Sequence, residues 1–297
     1  MQANIFRGAG VIFAAAVFSI LIGECARADT VAYYRFNEGA AGTAASAATG
    51  AILDSSSNGY NGTAINGPVY SSSVPANPIP LTGQSNPTSL SFDGTSQRIF
   101  IPNSDAGLTL THSLTLEAYI YVMPLVAGSG DGNVIFRGDD SYSYDPYRLT
   151  VGLGGTGSTT IGFAVTALDI FTGEDIATLT APIPDNTWIH VAGTLDDATG
   201  VMDLYVNGQL ANSTTTTIRP FEILNGANPG IAIGALQNNG EYFHGLIDEV
   251  RISNAALTPN QFLDVPEPSA PVLAVVGLAL LLLRRRRGEL VGNLNLP

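Results

Sequence analysis

Between Leu114 and Val122 apolar and polar side chains take turns. Leu114, Leu116, Ala118, Ile120 and Val122 fall on one side, Thr115, Glu117, Tyr119 and Tyr121 on the other. Successive Cβ atoms of an extended chain point to opposite faces, so this period of two predicts a half-buried β-strand. Shorter runs of the same kind occur at 31–36, 90–92, 98–101, 134–136, 148–151, 160–165, 188–195, 202–206, 231–233 and 242–252. Asn207-Gly208, directly after Leu204-Tyr205-Val206, predicts a hairpin turn, because both residues accept positive φ. Thr258-Pro259 predicts a short helix through Phe262, with threonine as cap and proline in the first turn. The stretch 67–88, with prolines at 68, 75, 78, 80 and 87, reads as one long loop. No long helical period interrupts the series. The pattern predicts an all-β chain folded as a two-sheet antiparallel β-sandwich of jelly-roll type.

Two stretches break the pattern. Near the start, Arg7, the apolar run Ala9–Ile22 and Ala26-Arg27-Ala28 have the order of a secretory signal peptide over residues 1–28. Cleavage after Ala28 removes Cys25, the chain's one cysteine, and with it any disulfide or thiolate metal site. Near the end, Ala270 to Leu283 is an apolar run followed by Arg284, Arg285, Arg286 and Arg287. As a helix it covers about 21 Å, against about 30 Å of bilayer hydrocarbon. A short apolar helix stopped by arginines on the cytoplasmic side reads as a transient membrane address better than as a permanent anchor. The expected domain therefore runs from 29 to 263, the address from 264 to 287, and a tail of unassigned role from 288 to 297.

Charge narrows the partners. The basic residues of the whole chain are all arginine. Residues 29–264 hold six of them (35, 98, 137, 148, 219, 251) against 22 acidic residues, a net of −16. So anionic a surface repels phosphate backbones and argues against nucleic acid. It attracts divalent cations and tolerates neutral glycans.

The Pro266-Glu267-Pro268 triplet, the short apolar helix and the arginine cluster together resemble the PEP-CTERM sorting signal of Gram-negative bacteria. The resemblance implies cleavage near the triplet by an exosortase-type enzyme. It also implies delivery to the cell surface or extracellular matrix, with only transient membrane contact. Seven motifs in the body of the chain appear in order: Tyr34–Gly39, Asp54–Thr63, Leu90–Gly94, Ser113–Tyr119, Trp188–Ala192, Leu204–Gly208 and Gly245–Ile252. They resemble a laminin G-like, concanavalin A-like jelly roll, and imply that fold for the whole mature chain. They leave the ligand open.

Candidate chemistry sits in two loops. Asp54, Ser56 and Asn58 alternate before Gly59, an oxygen-rich pattern suited to a hard cation such as Ca2+. In jelly rolls resembling this one such a loop is tied to the last strand, which makes Asp248 the expected third ligand. The competing reading is a set of Asx turns. In the second loop, Asp140, Tyr142, Tyr144 and Asp145 form a candidate glycan platform, with ring faces for C–H patches and carboxylates for hydroxyls. An ordered loop without a ligand is the alternative, and Tyr147 is expected to pack into the strand start. The turn 238–242 is a weaker candidate of the same kind. His112, His190 and His244 have no zinc spacing, and His190 reads as structural. Glu249 and Arg251, two apart on one strand, suggest an ion pair within the sheet. Asp196-Asp197 and Glu174-Asp175 read as turn residues. The closely spaced carboxylate triplet of laminarinase-type glycosidases is missing from the sequence. The expected function is non-catalytic binding of polysaccharide or adhesion, with a structural surface component as the alternative and a glycoside hydrolase third.

Overall fold

The computed structural model describes residues 30–103, 107–124, 130–138, 145–154, 157–169, 173–222, 229–237 and 240–265. The expected signal peptide, the Pro266–Pro268 triplet, the apolar run and Arg284–Arg287 lie outside them. Among the described residues no helix is long and apolar enough to cross a membrane.

Among the described residues fifteen strands form two antiparallel sheets, as the alternation predicts. They are β1 (Thr30–Tyr34), β2 (Thr63–Ile65), β3 (Val69–Ser71), β4 (Ser89–Asp93), β5 (Arg98–Ile101), β6 (Leu114–Val122), β7 (Gly132–Arg137) and β8 (Tyr147–Leu153). Then come β9 (Thr159–Asp169), β10 (Gly173–Pro182), β11 (Trp188–Leu195), β12 (Val201–Val206), β13 (Gln209–Thr215), β14 (Ile231–Ile233) and β15 (His244–Ser253). The first sheet has the order β13-β12-β11-β6-β15-β4-β3, with β1 also paired to β15; the second runs β10-β9-β8-β7-β14-β5-β2.

The core lies between the sheets. Leu114, Leu116, Ala118, Ile120 and Val122 of β6 meet Leu149, Val151, Ile161, Phe163 and Val165 of the second sheet, all fully buried. Gly193 on β11 makes room for the Phe163 ring, which a Cβ there would strike at 2.3 Å. Asn207 and Gly208 both take positive φ and close the β12–β13 hairpin as expected.

Three local expectations change. Val69–Ser71 inside the proline-rich stretch pairs with β4, so that stretch is not a single loop. Glu174 and Asp175 lie within β10, opposite Leu168 and Ala167, rather than in a turn. The helix after Thr258 is one 3-10 turn, Pro259–Gln261, where the Gln261 side chain accepts from the Thr258 N–H at 3.0 Å.

The largest departure concerns the outer side of β6. Thr115 and Glu117 are fully buried and Tyr119 nearly so, because two segments cover this face. One is the strap 254–265, which lays Leu257, Phe262 and Leu263 against Ala192, Tyr205 and Tyr119. The other brings Ile79 and Leu81 from the proline-rich stretch beside Tyr33 and Trp188. The outer face of the first sheet is covered over β6 and β11, while β13 at its edge stays exposed.

Candidate functional site

The outer face of the second sheet is open across β8, β9 and β10. Its outward side chains form cross-strand rows: Thr180, Gly162 and Thr150 in one, Thr178, Ala164 and Arg148 in the next. Neighbouring strands sit about 4.8 Å apart, so glycine and alanine on the middle strand leave a furrow between ridges of threonine. The resulting trough has a volume of about 370 Å³, within the range of about 300–1,000 Å³ usual for small-molecule sites. The glycines keep the floor low. A Cβ on Gly162 would come within 3.0 Å of Thr150 Oγ1, and one on Gly152 would strike Asp131 Oδ1 at 2.2 Å. The Asp131 carboxylate therefore hangs directly over the floor, and no described residue donates a hydrogen bond to it. Arg148, the cation in the lining, is engaged at one end by Asp145 at 3.0 Å. Such a surface offers hydroxyl donors and acceptors, methyl groups and one free carboxylate acceptor, a set suited to hydroxyl-rich neutral ligands.

Of the expected glycan platform, Asp145 is described: it is largely buried and holds Arg148 at the end of the trough. Asp140, Tyr142 and Tyr144 lie outside the described residues. Tyr147 packs into the core, as expected, with its hydroxyl donating to Leu108 O at 2.5 Å. In the turn after β14, Asn238 and Asn239 are outside the described residues, while Glu241 accepts from Asn133 Nδ2 at 2.9 Å and braces the start of β7. Sequence reading missed Asp131 and the threonine rows. The visible signal was the series Thr150, Gly152, Thr160, Gly162, Ala164, where every outward residue is small.

The Asp54 loop is built as a clasp. Asp54 Oδ1 accepts from the N–H groups of Tyr33 and Ser56, and Oδ2 from Ser56 Oγ and the Tyr60 N–H, at 2.7–3.0 Å. Asn58 Nδ2 donates to Val31 O at 2.9 Å, fastening the loop to β1. Asp248 is used elsewhere: it is fully buried and accepts from Asn86 Nδ2 at 2.7 Å and from the Glu249 N–H at 2.9 Å. Asp54 and Asn58 meet through Ser56 Oγ, which donates to Asp54 Oδ2 at 2.7 Å and accepts from the Asn58 N–H at 3.2 Å, while a cation at Asp54 would compete with four protein donors. The hydrogen bonds of the loop are those of the Asx-turn reading. Among the described residues no cluster of three or more His, Cys, Asp or Glu side chains has metal-holding geometry.

Beneath the strap lies a buried charged network. Glu117, fully buried, accepts from Arg251, from His190 Nε2 at 2.8 Å and from the Leu263 N–H at 3.1 Å. Burial pushes its carboxyl up, but Arg251, His190 and the amide outweigh burial and hold it below the ordinary range. His190 is thus structural, as expected. Arg251 does not pair with Glu249. A bulge between Asp248 and Arg251, with Glu249 at φ 50°, breaks the two-residue period and turns Glu249 toward Arg35 Nε at 3.2 Å and the Tyr33 hydroxyl. Burial raises the carboxyl pKa of Glu249 despite those partners, and that of Asp248 well above its usual value.

Among curated proteins no sequence relative is found. Among solved structures, the chain resembles domain 4 of AbnA, a GH43 extracellular arabinanase from Geobacillus stearothermophilus, in complex with arabinotriose. The identity is 22%, the TM-score 0.53, and the match covers 81% of this chain and 99% of that one. It also resembles the binding domain of botulinum neurotoxin serotype D/C VPI 5993, at 11% identity and TM-score 0.51, covering 78% of this chain and 50% of the toxin domain. At these identities the likeness is one of fold. A family model matches residues 93–261, from the end of β4 to the 3-10 turn. The chain belongs to the Laminin_G_3 family of the concanavalin A-like lectin/glucanases superfamily.

Proposed function

We propose that this protein is an exported jelly-roll domain that binds a neutral polysaccharide, without cutting it, in the trough on the outer face of β8–β10. The observation that carries the reading is the contrast between the two outer faces. One is covered at its centre by apolar side chains, while the other presents threonine ridges, a glycine floor and the free Asp131 carboxylate. A run of outward residues as small as Gly152, Gly162 and Ala164 has no role in the core and suits close approach of a sugar chain. Among the described residues Asp131 is the one carboxylate in the lining, whereas glycoside hydrolysis calls for a pair; this favours binding over catalysis. Delivery to the cell surface or matrix through the signal peptide and the PEP-CTERM tail, with an exosortase-type enzyme as processing partner, belongs to the same proposal. Asp140, Tyr142 and Tyr144, which precede Asp145 in the sequence, stay candidate glycan contacts in that reading.

The test is a neutral-polysaccharide panel read by titration calorimetry, with arabino-oligosaccharides first, since the similar arabinanase domain is seen with arabinotriose. Filling the furrow with Thr150→Tyr and Thr180→Tyr is expected to abolish saturable binding while leaving the melting temperature within a few degrees. Asp131→Asn is expected to weaken it about tenfold, the loss of one charge-assisted hydrogen bond. Binding that survives the filled trough would reject the site. No binding to any glycan would favour a structural surface component.

A further inference from the structure

We infer that the β7 side of the trough is a subsite for an ammonium group, an assignment that rests on the trough being the binding site. The polysaccharide it takes is then one whose otherwise neutral units include an amino sugar with a free amine. Strand β7 borders the trough through its ladder with β8, where Gly132 stands opposite Val151 and Asn133 opposite Thr150. Opposed residues of a ladder share a face. Val151 points into the core, so Asn133 lies on the outer face with Thr150. Asp131, two residues before Asn133, falls on the same outer side. There its Oδ1 comes within 2.2 Å of where a Cβ on Gly152 would stand.

This wall is short of donors. Asp131 accepts no hydrogen bond from a described residue. Asn133 is fully buried, and its amide nitrogen donates to Glu241 Oε2 at 2.9 Å, which leaves its Oδ1 without a partner. Turning that amide over would only set its oxygen against the Glu241 carboxylate. Gln237, in the same turn as Glu241, has a second buried amide oxygen without a donor. The turn packs on β7, with the Asn133 N–H donating to Glu241 O at 3.0 Å. Two carboxylates and two unmatched carbonyl oxygens thus belong to β7 and the turn against it, and acceptors left without donors are costly.

No cation of the described chain compensates them. Among the described residues neither Asp131 nor Glu241 forms a salt bridge. Arg148 stands opposite Ala164, four residues before Gly152 is reached from the far end of β8, about 14 Å along an extended strand. Asp145 also holds it, at 3.0 Å. A sugar hydroxyl brings Asp131 one donor. An ammonium brings three and a charge, and a charge-assisted bond is about twice as strong. The six arginines against 22 acidic residues of 29–264 draw a cation toward any part of this surface. The β7 wall is where its three donors find unmatched acceptors.

Three pentasaccharides with one β-1,4 backbone, of glucosamine, N-acetylglucosamine and glucose, test this by titration calorimetry at about pH 6, below the usual range of an amine. The glucosamine oligomer is expected to bind about fivefold tighter than the other two, with the margin shrinking in added salt. In Asp131→Asn the margin is expected to vanish. In Asp175→Asn, which removes the same charge from an exposed position near the start of β10, it is expected to persist. Equal affinities in the wild type, or no binding of any of the three, would overturn the ammonium subsite and leave the trough to the wider panel. So would a margin that survives Asp131→Asn, or one that falls equally in Asp175→Asn, the mark of general attraction to an acidic chain. Glucosamine oligomer held as tightly after Thr150→Tyr and Thr180→Tyr would remove the trough itself, and the subsite with it.

Discussion

Asp248 shows how one buried carboxyl imprints itself on stability. It sits in the sheet with an amide donor on each oxygen and no cation in hydrogen-bond contact, and burial raises its pKa well above the ordinary value. The folded state therefore binds a proton that the unfolded chain releases, so the stability tied to this group is present below about pH 4 and drains away as pH rises. Asp248→Asn keeps the shape and removes the ionisable group. The variant is expected to melt about 2–4 °C higher than wild type at about pH 8 and almost unchanged at about pH 4; a loss of equal size at both would refute the buried-proton account. At this scale the sequence was partly legible. His190 was readable as structural because it shares an alternating strand with Trp188 and Ala192. Glu249 was misassigned because its positive φ shifts the register, and no spacing rule registers a bulge. Asp131 was invisible, since its value depends on Gly152 lying under it on the facing strand.

At the scale of elements, alternation located most strands, and it failed where a strand carries no apolar stripe of its own. β13 is exposed along its whole length and exists because its hairpin partner β12 holds it. β10 does turn Ala177, Leu179 and Ala181 into the core, but it opens on Gly173-Glu174-Asp175, which reads as a turn. The strap was readable as a short helical turn at Thr258-Pro259, but not as a cover, because its packing partners stand some 50–230 positions earlier in the chain. Its cover is what lets β6 be polar by sequence and buried in fact. Phe262 is fully buried against Tyr205 and His190. Phe262→Ala is therefore expected to cost about 3–5 kcal/mol, since it opens a cavity and wets the Glu117–Arg251 pair. Thr178→Ala, on the open face of the other sheet, is expected to change stability by no more than about 0.5 kcal/mol. Denaturant melts of the two variants separate a sealed face from an open one; similar costs would mean that the strap is decoration.

For the whole molecule, the ionisable groups pull in two directions. Glu117 and Asp93 have carboxyls held below the ordinary range. For Asp93, at about 2, burial opposes the shift and the Thr95 and Ser96 N–H groups prevail. Their stabilisation is present above about pH 4 and is lost as pH falls toward the folded values. Asp93 is exposed, so solvent screening leaves most of that effect to Glu117. Asp248 and Glu249 are raised, and their contribution is lost as pH climbs from about 4. Self-repulsion works with the raised pair, because residues 29–264 carry six arginines against 22 acidic groups and gain negative charge with every carboxyl that ionises. With lowered groups failing on one side and raised groups plus net charge on the other, the melting temperature is expected to peak at about pH 5 and to fall toward both pH 3 and pH 8. Added salt should flatten the alkaline limb more than the acid one, since repulsion among exposed charges is screened while a buried ion pair is not. A melting temperature that climbs steadily to pH 8 would mean that Asp248 and Glu249 ionise without cost, and would remove the basis for reading the sealed face as a dry, low-dielectric interior.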